Sequence, residues 1–306
     1  MPSFRMRVEY DGSGFSGWQR QSVARTVQGE LEKGLTQLCR HPIAIVGAGR
    51  TDAGVHATGQ VASFDLNSGW RYADDAALLG RRLDRIMPPD ISVHDMMLAP
   101  DGFSARFNAR RRRYRYSIRH VRHPLERAHS WFVPQGLDLE AMVRATEIIR
   151  KYRDFRAFTR ADLKLEHYYV DLDRLDLVPQ VDGVDLVVSA RRFLHNMVRI
   201  LAGTLVAIGK GRMPPERVAR AIETRDRRLG GPTAPPHGLI LEAVEYLGDP
   251  LLANDLDLPA AAAAAAAPPD RSGAGEASAP ADSKLESPAR SGEGTPDNPE
   301  PNRTHP

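Results

Sequence analysis

The chain has 306 residues, 42% hydrophobic and 26% charged, with a formal net charge of +3; this is an ordinary globular composition, long enough for one large or two ordinary domains. A single cysteine, Cys39, excludes an intrachain disulfide and a zinc site built from several thiolates. No apolar stretch is long enough to span a bilayer and Met1 to Tyr10 lacks the apolar run of a signal peptide, which predicts a cytoplasmic protein.

Taken in chain order, Phe4, Met6, Val8 and Tyr10 alternate with charged residues and predict a half-buried strand. A glycine-rich loop through Gly12, Gly14 and Gly17 carries Phe15 and Trp18. Thr26 is placed to cap a helix whose Val27, Leu31, Leu35 and Leu38 share one face. A strand at Ile43 to Val46, a turn at Gly47 to Gly54 and a strand near Val61 to Leu66 follow. A second helix takes Ala76, Leu79, Leu83 and Ile86, and Ile91 to Met97 returns as a strand. The order β-α-β-β-α-β is the ferredoxin-like plan.

A second pass of the same kind begins at Tyr114, Tyr116 and Ile118, which alternate with arginines. Helical spacing recurs from Leu139 to Ile149. Strands at Tyr168 to Val178 and Gly183 to Ala190 flank the hairpin signal Val181-Asp182-Gly183. One helix starts near His195-Asn196 and another at Pro214-Pro215, and Leu239 to Leu247 closes the body. The expected fold is α/β (α+β), with two ferredoxin-like, RRM-like halves, mainly antiparallel sheets and a central cleft. The expected division is 1–109 for the first half, 110–250 for the second and 251–306 for a tail.

The tail reading rests on composition. From Pro259 to Pro306 there are nine of the 23 prolines, an alanine run from Ala260 to Ala267 and no aromatic. Such a segment cannot bury enough surface to offset its ordering entropy and is predicted to be disordered. It holds four basic and seven acidic residues, leaving 38 basic against 32 acidic before it. A basic body suits a polyanionic partner.

Three segments could carry chemistry. Gly47-Ala48-Gly49-Arg50-Thr51-Asp52-Ala53-Gly54 fails as a dinucleotide fingerprint, because Asp52 stands where a third glycine would meet pyrophosphate. It fails as a P-loop for want of Gly-Lys-Ser/Thr. Asp52 then either caps a turn with its own side chain or presents a carboxylate for chemistry. Phe103 to Tyr116 holds six arginines and four aromatics, a mixture suited to a nucleic-acid backbone and a stacked base. Arg106 and Arg110 to Arg112 are its expected phosphate contacts, whereas Tyr116 shares a face with Ile118 and belongs to the core. The third segment is Arg191 to Arg199. His195 there reads as a helix-start residue, and Arg199, in an otherwise apolar helix, needs an acidic partner, for which Asp52 is a candidate.

Together, Gly49-Arg50-Thr51-Asp52-Ala53-Gly54-Val55-His56, Phe103-x-Ala105-Arg106-Phe107, Arg113-Tyr114-Arg115-Tyr116 and Phe193-x-His195-x-Met197-Val198-Arg199 resemble the bacterial tRNA pseudouridine synthase A family. Further matches at Gly17-Trp18-Gln19-Arg20-Gln21 and Pro236-His237-Gly238-Leu239 extend the likeness over the whole body. The resemblance implies a homodimer that isomerises uridine to pseudouridine at about positions 38, 39 and 40 of the tRNA anticodon stem-loop, with an RNA-binding central cleft and no cofactor or metal. It implies that Asp52 is the catalytic aspartate, that Arg50 helps extrude the target nucleotide and that Arg106 touches RNA. It also implies that Tyr114 stacks on the base and Arg199 pairs with the aspartate, with Phe103 and Phe107 among the substrate-binding residues. One stretch departs from the family pattern, Ala161 to His167, where a basic segment is usual. The alternatives are a non-catalytic RNA-binding protein, which would not need Asp52, and a phosphate-binding metabolic enzyme, which the failed fingerprints disfavour.

Overall fold

The structure is a computed structural model that describes residues 1–248 except 68, 70, 71, 73, 135, 161 and 163. The expected tail, 251–306, lies outside the described residues. The elements are β1 (Ser3–Tyr10), α1 (Val27–Cys39), β2 (Val46–Gly47), β3 (His56–Asp65), α2 (Ala76–Ile86), β4 (Ile91–Ala99), β5 (Ala109–Arg119), β6 (Trp131–Phe132), α3 (Leu139–Ile149), β7 (Leu172–Gln180), β8 (Gly183–Ala190), α4 (Met197–Gly209), α5 (Arg217–Thr224) and β9 (Leu239–Tyr246).

Local chemistry accounts for most of them. In β1, Phe4, Met6, Val8 and Tyr10 are buried, as period-two alternation requires. Thr26 accepts from Gly29 N at 3.3 Å to cap α1, and Asp75 and Asp138 do the same for α2 and α3. β2 is shorter than the sequence predicts, for a visible reason. Ile45 N donates to Glu32 Oε1 (3.1 Å) and Ile45 O accepts from Gln28 Nε2 (3.2 Å), so side chains of α1 replace a strand neighbour.

The strand order is β4-β1-β3-β9-β5-β8-β7, with β2 on β3 and β6 on β5. The set β4-β1-β3-β2 and the set β9-β5-β8-β7 have the same fourth-first-third-second order, and each arises from a βαββαβ passage, apart from the short β6. Pairing is antiparallel within each set's long strands. The sets are joined into one sheet by a short parallel contact, His56 beside Ile240 and Ala57 beside Leu241. That contact explains why β3 starts five residues before the apolar run at Val61. Buried residues from both sets form one contiguous core. No helix among the described residues is long and apolar enough to cross a membrane.

Candidate active site

The Asp52 loop leaves β2 and returns into β3 at the point where the two strand sets meet. Its backbone is fixed from several sides. Gln60 Nε2 donates to Gly49 O (2.9 Å), Trp18 N donates to Thr51 O (3.1 Å), and the Thr51 and Tyr10 hydroxyls lie 2.7 Å apart. Val55 N closes a tight turn onto Asp52 O (3.1 Å), with Gly54 at φ +77° in its third position. Gly17, at φ +93°, passes so close that a Cβ there would lie 2.8 Å from Thr51 O.

The main chain, then, makes the turn, and the Asp52 side chain is left for something else. Oδ2 accepts from Arg199 Nη1 at 3.1 Å, and Oδ1 lies 3.3 Å from His195 Nε2. Arg199 is itself held by Ala234 O (2.9 Å to Nε) and Asn196 Oδ1 (3.1 Å to Nη1). Asn196 occupies the left-handed region at φ +62° just before α4, a conformation asparagine tolerates better than most residues. The partner that the sequence demanded for Arg199 is therefore Asp52, brought 147 positions along the chain.

Tyr114, on β5, is buried and stands edge-on to Phe193, with ring centroids 5.1 Å apart. Its hydroxyl faces the loop, since a Cβ on Gly49 would lie 3.8 Å from it. Burial pushes the phenol up to about 12, with the Asp52 charge acting in the same direction and Arg112 against it. The phenol is thus protonated throughout the neutral range. Tyr116 is fully buried, as its shared face with Ile118 predicts, and donates to Pro235 O at 2.8 Å.

Arg50 and Arg106 are exposed, and the Arg106 guanidinium covers the Phe107 ring at 5.4 Å. Phe107 is 77% exposed, whereas Phe103 packs on Tyr246 with centroids 5.1 Å apart. Of the two phenylalanines, Phe107 is the one presented to solvent.

The arginine run is not one uniform surface. Arg110 is exposed, but Arg111 pairs with Asp173 (3.0 Å) and Glu245 (3.2 Å). Arg112 is buried and faces inward. It donates to Ala48 O (3.3 and 2.6 Å), Ala109 O (3.4 Å), Arg106 O (2.9 Å) and Arg191 O. One guanidinium thereby ties together the bases of the three site-bearing segments. Alternation along β5 sets Arg111 on the face opposite Arg112, and the irregularity between Ala109 and Arg111 in the pairing with β9 breaks the period that would otherwise put Arg110 on the face of Arg112. Arg112→Lys should lose at least two of these bonds and destabilise the fold by roughly 3 kcal/mol, on the order of 6–12 °C in thermal denaturation. Arg110→Ala should leave the melting temperature unchanged and lower the salt slope of polyanion binding by about one unit.

Among the described residues, Asp11, His56 and His129 could each offer one atom to a metal, all within 4.8 Å of one another. The His56 Nδ1 lone pair is already taken by Gly12 N at 3.1 Å.

Two ferredoxin-like sets thus meet at a carboxylate held by an arginine, with the exposed Arg50 on the same loop. The profile of the tRNA pseudouridine synthase family matches residues 6–108 and 152–247. The tRNA pseudouridine synthase A of Rhizobium meliloti is 41% identical over 248 residues, 80% of this chain and 100% of its own length. Those of Paramagnetospirillum magneticum and Rhodopseudomonas palustris are each 41% identical over 80% of this chain, spanning 96% and 100% of their own lengths. This chain belongs to the tRNA pseudouridine synthase family, whose members are isomerases.

Proposed function

We propose that this protein isomerises uridine to pseudouridine in the anticodon stem-loop of tRNA, at about positions 38, 39 and 40, working as a cytoplasmic homodimer. The reaction breaks the N1–C1′ bond, turns the free uracil and joins C5 to C1′. One proton leaves C5 and one arrives at N1, so no oxidant or acceptor is consumed. The reading is carried by one observation, the Asp52 carboxylate fixed by Arg199 with Tyr114 beside the same loop. A carboxylate held in place serves as a nucleophile or as a base at carbon.

Within this reading Arg199 orients the carboxylate, Tyr114 presents its ring to the extruded base, and Arg50 and Arg106 hold the displaced backbone. Extrusion costs a few kcal/mol of stacking and pairing, and stacking on an aromatic returns roughly 1–3 kcal/mol. The test uses unmodified tRNA transcripts, treated with enzyme and mapped by carbodiimide labelling and primer extension. New stops confined to positions 38–40 are the expected result. Stops at other uridines would refute the positional assignment, and none at all would leave a non-catalytic RNA-binding protein.

Tyr114 gives a second check. In this reading Tyr114 acts through its ring, so Tyr114→Phe should retain most activity. Tyr114→Ala should cost roughly 1–3 kcal/mol, about 5- to 150-fold in single-turnover rate. Equal losses in the two variants would assign the role to the hydroxyl instead.

A further inference from the structure

The net reaction must move a proton off C5, and the residues around Asp52 limit where that proton can go. Arg199 donates to Asp52 Oδ2, and a guanidinium has no lone pair with which to accept the proton. Tyr114 is held protonated by burial. Asp52, whether it stays bonded to the base, is released on C5–C1′ bond formation or takes the proton itself, must end each turnover without that proton, which needs an onward acceptor. Among the described residues, the side chains that pair with this carboxylate are Arg199 and His195, whose Nε2 lies 3.3 Å from Asp52 Oδ1. The Arg160 cation acts on it from farther off.

The placement is built by the fold. Arg199 engages Oδ2 from the inner side, while His195, 40% exposed, stands at Oδ1 and opens to solvent. The His195 carbonyl accepts from the buried Thr159 hydroxyl at 3.1 Å, and Asn196 then turns the chain into α4. Leu194 on one side and Met197 on the other are buried. The main chain on both sides of His195 is therefore fixed, which anchors the base of its side chain beside the Asp52 loop. Around it stand Asp52, Arg199 and Asp162, the last paired with Arg160.

We propose that His195 is the proton carrier of this site, linking the Asp52 carboxylate to solvent. This rests on the reading of Asp52 given above. When the C5–H bond breaks, its electron pair stays in the ring and restores the uracil π system. If Asp52 is the base, the proton passes to Oδ1 and then to the unprotonated Nε2 of His195. If Asp52 is the nucleophile, Nε2 takes the proton directly. His195 then releases it to water, and N1 receives one proton from water, so the base gains and loses none overall. An imidazole suits this task because one ring nitrogen can accept a proton while the other donates one.

The experiment compares the parent with His195→Gln and His195→Ala, using tRNA transcripts carrying tritium at C5 of uridine. Tritium release and pseudouridine formation are followed in single turnover across pH 5–9, with filter binding on the same RNA. The expected result is tRNA affinity within about twofold of the parent and a rate loss of about a hundredfold. The acid limb of the parent's pH profile should disappear in both variants, and added imidazole should restore part of the His195→Ala rate. Rates within threefold of the parent would overturn the proposal. So would a loss that imidazole does not restore and that leaves the pH profile unchanged, because that pattern marks a purely structural residue. Asp52→Asn, run alongside, separates the two ideas: an inactive Asp52→Asn with a fully active His195→Gln removes only the carrier.

Discussion

Asp52→Asn should abolish pseudouridine formation while leaving the protein folded and able to bind tRNA. Asparagine is nearly isosteric, and the turn that holds position 52 is closed by the main chain, Val55 N to Asp52 O, so the substitution leaves that turn intact. What it removes is the anionic oxygen. Without a nucleophile or base, the single-turnover rate should fall at least about a thousandfold, roughly 4 kcal/mol in the barrier. Filter binding should stay within about threefold, because the substitution touches no exposed arginine. A rate within tenfold of the parent would defeat the assignment of the carboxylate to the chemistry.

Arg199→Gln should produce the second-largest loss. The arginine supplies a charge-assisted bond to Asp52 Oδ2 and two further bonds, to Asn196 and Ala234, that hold its own position. Glutamine is shorter and neutral, and it cannot span all three partners. Losing a hydrogen bond between charged groups costs roughly 1.5–3 kcal/mol, or about 10- to 150-fold in rate. The loss should fall on the chemical step, since Arg199 is largely covered and Asp52 only partly so. Arg199→Lys should recover part of the rate by keeping the charge while losing the fork geometry. A Gln variant with parental single-turnover kinetics would show that the clamp is a fold feature without bearing on the reaction.

The elements were legible where one short-range signal sufficed. Alternation marks β1, a threonine cap marks α1, and the Val181-Asp182-Gly183 turn separates β7 from β8. The need of Arg199 for an acid was legible for a related reason, because a cation inside an apolar helix demands a counter-charge wherever one is available. Other features left no local trace. Nothing in Ile43 to Val46 announces that two α1 side chains will satisfy the Ile45 backbone. Nothing in the histidine after Leu194 distinguishes a helix-start residue from one beside a carboxylate 143 positions away.

The sequence by itself determined the two βαββαβ passages, the glycine-rich loop around Asp52 and the family to which the chain belongs, since each rests on periodicity or on residues adjacent in the chain. Tertiary structure decided the parallel junction of β3 with β9, the inward turn of Arg112 from a run that looks uniformly basic, and the meeting of His195 with Asp52. The physical reason is the same in each case. A strand edge, a guanidinium and an imidazole have their partners chosen by which distant backbone or side chain arrives within about 3 Å. That choice is made only when the core of both strand sets has closed.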